Sequence, residues 1–225
     1  MNTQTQMNLS EEVLADDISL KSTREVYSYV KRGLDVILSA LGTIILSPVF
    51  LIIAGIIKFD SPGKVFFKHK RIGKNGKEIY IYKFRTMVEN AEDMIRDFSP
   101  EQLQEFKENY KLKDDPRITK VGSFLRRTSL DELPQIFNIL RGELSIIGPR
   151  PVIKEELEKY GPNKAKFLSI TPGLTGYWQA NGRSNTTYEE RMQMELYYVE
   201  NYSLKMDIKI FFKTILSVLK KEGAR

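Results

Sequence analysis

The chain has 225 residues, 41% hydrophobic and 11% aromatic, enough for one domain with a real core, and wholesale disorder is excluded. Charged residues make up 28%, which excludes a polytopic membrane protein; no cysteine and a single histidine, His69, exclude disulfides, zinc clusters and cysteine nucleophiles. With 35 basic against 29 acidic residues the net charge is +6, and chemistry falls to carboxylates, lysines, arginines, hydroxyls and a bound hard cation.

Residues 1–30 form a polar N-terminal extension with an acidic patch at Glu11, Glu12, Asp16 and Asp17. From Val36 to Ile57 no side chain is charged, and a run of about 20 apolar residues is what a membrane helix needs. Ser47-Pro48 lies at its middle. Proline removes a helical N–H and disfavours helical angles in the residue before it, so a break is expected there, with the Ser47 and Thr43 hydroxyls serving the freed carbonyls. Both flanks are basic: Lys21, Arg24, Lys31 and Arg32 before, Lys58, Lys64, Lys68, Lys70 and Arg71 after. A single crossing concentrates basic residues on the cytoplasmic side, so two basic flanks predict a re-entrant helix-break-helix over 31–59 that dips into the inner leaflet and returns. The region 60–225 then lies at the cytoplasmic face of the membrane.

Between Lys58 and Arg85, nine lysines and arginines face only Asp60 and Glu78, a block that attracts polyanions. Nucleic acid fits that charge but not the adjoining apolar hairpin, and is set aside. The alternating segments around Gly73-Lys74-Asn75-Gly76 predict a β-hairpin. It ends in Tyr82-Lys83-Phe84-Arg85-Thr86-Met87, where Lys83 and Arg85 are spaced for one strand face. Residues 88–110 are charged and helix-prone, interrupted at Ser99-Pro100. Leu133, Ile136, Phe137 and Leu140 have helical spacing, and Gly142 predicts the stop.

Ahead of that helix lies Ser129-Leu130-Asp131-Glu132-Leu133-Pro134-Gln135. Ser129 with Glu132 makes a capping box, but Pro134 would then fall at the fifth helical residue; Asp131 as N-cap puts it harmlessly at the third. Either way the Asp131-Glu132 pair sits at a positive helix end beside Arg126 and Arg127, where a carboxylate is ionised and a phosphate docks. Gly148-Pro149-Arg150-Pro151 stiffens Arg150 as a phosphate clamp or is an ordinary turn. Residues 171–184 read as a loop whose Trp178, Asn181 and Arg183 suit base or sugar contacts, or an interfacial anchor. Helices follow over 188–200 and 204–221. The last has an apolar stripe of Ile208, Phe211, Phe212, Ile215, Leu216 and Leu219 opposed by lysines, which core packing explains as well as membrane contact does, the excess of lysine favouring an interfacial helix. The fold class is therefore helix-rich α+β: a re-entrant membrane segment, a small β-hairpin and several amphipathic interfacial helices. Neither a P-loop nor a dinucleotide fingerprint occurs.

KRGLDVILSALGTIILSPVF, YKFRTM, DDPRITKVGSFLRRTSLDELPQIFNILRGELSIIGPRP and TPGLTGYWQANGRS, in this order from about Lys31 onward, resemble the bacterial sugar transferases, monotopic phosphoglycosyl transferases. The resemblance implies transfer of a sugar phosphate from a UDP-sugar to undecaprenyl phosphate with release of UMP. Asp131 is then the nucleophile, Glu132 its partner, and Mg2+ is bound at the two. Arg126, Arg150, Lys83 and Arg85 match phosphate-binding and basic positions, and Ser47-Pro48 the break of the anchor. It also implies a minimal catalytic form without the multi-helix membrane domain of larger members. The insertion from Glu89 to Lys113 leans the donor towards glucose or galactose, for exopolysaccharide, capsule or O-antigen. A homodimer stays open. The alternatives are a membrane-attached assembly factor that needs the basic face but not Asp131, and a direct glycosyl transferase that releases UDP.

Overall fold

The computed structural model describes residues 3–109, 112–182 and 186–219 of the chain, with side chains over 24–106, 112–182 and 186–217. Helix α1 runs from Thr3–Asp60, so the polar lead-in and the apolar segment share one helix. The hairpin follows as β1 (Phe66–Ile72) and β2 (Glu78–Phe84), antiparallel with His69 opposite Ile81 and Phe67 opposite Lys83. Its turn works as expected: Asn75 adopts φ 57°, a left-handed angle that asparagine tolerates. Helices α2 (Pro100–Asn109), α3 (Lys120–Arg127) and α4 (Ile136–Arg141) precede β3 (Ser145–Ile147). Then come α5 (Lys154–Glu158), α6 (Lys164–Phe167), β4 (Gly173–Thr175), α7 (Tyr177–Asn181), α8 (Tyr188–Asn201) and α9 (Leu204–Leu219). Strands β3 and β4 form a second, parallel pair that the sequence did not announce. The stretch expected as a loop over 171–184 contains β4 and α7, with Arg183 outside the described residues.

The expected interruption at Ser47-Pro48 is not a break in the helix: α1 continues through Pro48. Proline leaves the Ile44 carbonyl without its usual N–H donor, and the Ser47 hydroxyl donates to that carbonyl at 2.8 Å. The Thr43 hydroxyl donates instead to the Ser39 carbonyl at 2.8 Å, one that the proline does not free. The backbone therefore keeps its hydrogen bonds without reversing.

One stripe of α1 is covered along its length, at Tyr27, Lys31, Asp35, Ser39, Gly42, Leu46, Val49, Ile53 and Ile57, three or four residues apart. Polar residues dock its first part. Arg32 donates to the Ile139 and Leu140 carbonyls at 2.6 and 2.9 Å, neutralising the negative end of α4, which Gly142 terminates at φ 79°. Asp35 accepts from the Ile146 N–H at 2.9 Å. Apolar residues dock its second part: Ile53 and Ile57 pack with Phe84 and Leu125. The other faces remain exposed and apolar, including Ile37, Ile44, Ile45, Leu51, Ile52 and Phe59, the last 93% exposed. This is the one helix among the described residues long and apolar enough to cross a membrane.

Helix α9 shows the same division. Asp207, Ile210 and Ser217 are buried and Thr214 bonds Thr175, while the predicted apolar stripe at Ile208, Phe211, Phe212, Ile215 and Leu216 points outward. The stripe is therefore free of the core. Asp207 joins the two exposed-face helices: one oxygen takes Tyr27 and Lys31 at 2.8 and 2.6 Å, the other takes Tyr198 at 2.7 Å. Removing that carboxylate strands a half-buried ammonium and two hydroxyls. Asp207→Ala is expected to lower unfolding free energy by about 3 kcal/mol, seen as a lower melting temperature of the detergent-solubilised protein.

Candidate active site

Asp131 and Glu132 do not begin an α-helix. Ser129 turns left-handed (φ 57°), and Leu130–Gln135 form a 3-10 segment that leads into α4. Asp131 is thus not the N-cap of a regular helix, and the Ser129 side chain makes no cap bond. Pro134 lies buried inside this 3-10 segment, five residues after Ser129, and contributes no N–H to its bonding. Both carboxylates turn towards Lys83 on β2, whose Nζ lies 2.6 Å from Glu132 Oε1 and 4.0 Å from Asp131 Oδ2.

Asn138, fully buried on α4, fixes this juxtaposition. Its amide donates to the Tyr80 carbonyl at 2.7 Å and its oxygen accepts the Tyr82 N–H at 2.9 Å, pairing a side chain with the backbone of β2. The helix after the dyad and the strand carrying Lys83 are thereby held in register. Gly122 of α3 lies so close to Thr86 that a Cβ would stand 2.0 Å from its carbonyl oxygen. That approach lets Arg126 Nε reach Thr86 Oγ1 at 2.9 Å, within electrostatic range of Asp131.

Asp131 is 8% exposed. Burial pushes its carboxyl up to about 6, with Glu132 adding to the rise and Lys83 and Arg126 opposing it. Burial acts in the same sense on Glu132, but Lys83, Arg150 and Arg71 outweigh it and hold that carboxyl below its usual range. The two neighbours are therefore pushed apart in proton affinity.

The cleft over Glu132 is lined by Lys83, Arg71, Arg150, His69 and Gln135, with Gln179 of α7 also on its wall. Burial pushes His69 down to about 4, helped by Arg71, Lys83 and Arg150, so its ring is neutral at pH 7. Arg71 Nη2 lies 3.3 Å from His69 Nδ1; since arginine can only donate, the ring proton is on Nε2. Burial and Arg150 also lower Arg71, to about 10, which leaves it cationic at pH 7. The result is a cleft lined by cationic side chains beside two carboxylates.

The Arg150 turn is pinned from three sides. Gly148 donates to the Thr175 carbonyl and Gly173 to the Pro149 carbonyl, both at 2.9 Å. A Cβ on Gly173 would lie 2.1 Å from the Gly148 nitrogen, so the strands approach this closely only as glycines. The third contact runs from the Arg150 N–H to Glu195 Oε1, 3.1 Å away. Glu195 is completely buried; burial pushes it up to about 7 against the pull of that N–H and of Arg191 and Arg150.

Lys83, Arg126 and Arg150 are thus gathered about Asp131 and Glu132. Arg85 is not: its guanidinium binds the Pro62, Ser61 and Ile57 carbonyls, capping the C-terminal end of α1. Arg85 is the residue after β2, where the alternation that aims Lys83 no longer applies. Trp178 and Asn181 also face away. Trp178 Nε1 donates to Thr186 at 2.7 Å and its ring lies under Arg191, while Asn181 accepts from Lys213 of α9 at 2.6 Å. The sequence reading passed over His69, Arg71, Gln135, Asn138 and Glu195 as site residues. Alternation along β1 could have found the first two, because His69 and Arg71 share a strand face and pair opposite Ile81 and Ile79.

Asp131 and Glu132 offer two adjacent carboxylates, and no group of three or more acidic or histidine ligands occurs among the described residues. Two hard oxygen donors beside a cleft lined by cations fit magnesium, which takes one or two carboxylates and completes its shell with water and phosphate oxygens.

The bacterial sugar transferase family model matches residues 26–221. Exopolysaccharide production protein ExoY of Sinorhizobium fredii is 46% identical over 204 residues, covering 89% of this chain and 90% of its own. Undecaprenyl-phosphate galactose phosphotransferase of Salmonella typhimurium is 39% identical over 226 residues, covering 99% of this chain and 47% of its own. UDP-glucose:undecaprenyl-phosphate glucose-1-phosphate transferase of Escherichia coli is 39% identical over 194 residues, covering 83% and 39%. The chain therefore spans nine-tenths of the first relative and less than half of the other two. It belongs to the bacterial sugar transferase family, and so is a phosphoglycosyl transferase enzyme.

Glu195 gives this fold a distinctive pH response. Its carboxyl binds protons more tightly folded than unfolded, so stability falls as pH rises from about 4.5 to about 7 and then levels off. Glu195→Gln keeps the acceptor for Arg150 and is expected to flatten that fall in melting curves recorded from pH 4.5 to 8.

Proposed function

We propose that this enzyme transfers a hexose 1-phosphate, of glucose or galactose, from a UDP-sugar to undecaprenyl phosphate, as the first membrane step in building an exopolysaccharide, capsule or O-antigen. The observation that carries the reading is a buried carboxylate, Asp131, set beside Glu132 at the edge of a cleft walled by Lys83, Arg71 and Arg150. The names of the relatives point the same way, two to undecaprenyl phosphate as acceptor and one to exopolysaccharide.

A carboxylate attacking a diphosphate meets a negative charge, so the cations decide whether it can react. Lys83, Arg150, Arg71 and Arg126 bind the diphosphate oxygens, and Lys83 and Arg126 help keep Asp131 ionised near neutral pH. An Asp131 oxygen forms a bond to the phosphorus bearing the sugar, and the bond to the bridging oxygen breaks, its electron pair leaving with UMP. The aspartyl phosphosugar is then attacked by a phosphate oxygen of undecaprenyl phosphate. The acyl-phosphate bond breaks, the Asp131 carboxylate is restored, and undecaprenyl-diphosphate-sugar departs. Magnesium held at Asp131 and Glu132 would supply further neutralisation of the diphosphate charge.

The lipid acceptor requires the cleft to lie at the membrane surface. The exposed faces of α1 and α9 suit one leaflet: α1 is covered on one side by the same catalytic body before and after Pro48, which disfavours a free crossing. Both ends of α1 are accordingly cytoplasmic in this reading, and the protein is monotopic on the inner leaflet. The chain has no cysteine, so this is directly testable. Cysteines introduced at Arg24 and at Asp60 are both expected to react with a membrane-impermeant maleimide only after the inner membrane is opened.

Nucleotide product identity tests the chemistry. With magnesium, undecaprenyl phosphate and a panel of UDP-hexoses, the purified protein is expected to release UMP with one sugar; release of UDP would mean direct glycosyl transfer. Asp131→Asn is expected to reduce turnover at least about 1000-fold with unchanged folding and membrane association, and substantial residual activity would overturn the nucleophile.

A further inference from the structure

Pro149-Arg150-Pro151 contains one backbone N–H, that of Arg150, because neither proline has one. That single donor is directed inward and is accepted by Glu195 of α8, a carboxylate with no solvent exposure. An apolar residue would fill the same space at lower desolvation cost, but would leave the turn's only N–H without a partner. One turn earlier on α8, Arg191 donates to Glu156 Oε1 at 3.2 Å, while Arg71 reaches the other Glu156 oxygen at 3.1 Å. The rings of Trp178 and Tyr188 lie 4.7 and 5.2 Å from the Arg191 guanidinium. Two residues of one buried helix face therefore connect to the two cleft arginines, Arg150 and Arg71, without themselves lining the cleft.

We propose that Glu195 is a positioning residue for donor binding: by holding the Arg150 N–H it sets the direction of the turn, so that the Arg150 guanidinium stands over the cleft ready for a phosphate. This rests on the reading of Arg150 as a ligand of the donor diphosphate, and predicts an effect on donor affinity that passes through Arg150 alone. Glutamine preserves the acceptor and should preserve function; alanine removes it.

The test is titration of the full-length, detergent-solubilised protein with UDP and magnesium, together with steady-state kinetics. Glu195→Ala is expected to weaken UDP binding and raise the donor KM by about tenfold or more, with kcat recovered at saturating donor. Glu195→Gln should stay within about threefold of the parent. In an Arg150→Ala background, itself weakened, Glu195→Ala should have no further effect. Unchanged UDP affinity in folded Glu195→Ala, or an equal loss with and without Arg150, would overturn the positioning role and leave the proposed reaction standing. Unchanged affinity in Arg150→Ala would instead overturn the phosphate-binding reading of Arg150 and the positioning role with it. If Glu195→Ala does not fold, Glu195→Asp, which withdraws the carboxylate by one methylene, takes its place against Glu195→Gln.

Discussion

Two adjacent carboxylates in a half-closed cleft repel each other, and Lys83 is what allows them to share it. The Lys83 ammonium sits on Glu132 at 2.6 Å and within 4.0 Å of Asp131, so it stabilises one charge directly and moderates the other. Everything that fixes Lys83 against the dyad serves this arrangement: the antiparallel register of the hairpin, the Asn138 amide paired to β2, and the left-handed Ser129 that starts the 3-10 turn.

The cleft is a second shell of charge built around the first. Arg150 is close enough to Arg71 to depress the proton affinity of Arg71, and Glu156 sits behind them as a half-buried counter-charge. Such an assembly is expensive to desolvate, which is why its members are tied by hydrogen bonds to backbone as well as to each other. The same economy appears at the ends of helices. Arg85 and Arg32 neutralise the carbonyl ends of α1 and α4, so two of the basic residues near the site are structural.

Much of this was legible from residue order. The hairpin and its Asn-Gly turn, the stop at Gly142, the apolar segment, the outward stripe of α9 and Arg126 beside the dyad follow from local pattern, whereas Lys83 and Arg150 came to the dyad only through the family resemblance. What was not legible depends on distant pairing. The continuity of α1 through Pro48 turns on a serine one residue earlier replacing a missing donor. The parallel β3–β4 pair is three residues long on each side, too short for any periodicity to register. Arg85 follows Lys83 at a spacing that suggests a shared role, yet its partners come from residues 57–62 and could be named only from the fold. Glu195 and Arg191 look like ordinary charges on a helix until their burial is known.

The Asp207 junction has a consequence for synthesis. Lys31 and Asp207 are 176 positions apart, so at about 5–20 residues per second Lys31 leaves the ribosome some ten to thirty-five seconds before its partner exists. Throughout that interval the apolar run of α1 is available to lipid while its polar seam has nothing to dock against. On the monotopic reading proposed above, the bilayer is the template for the first helix, and the last helix completes the assembly at a surface already occupied.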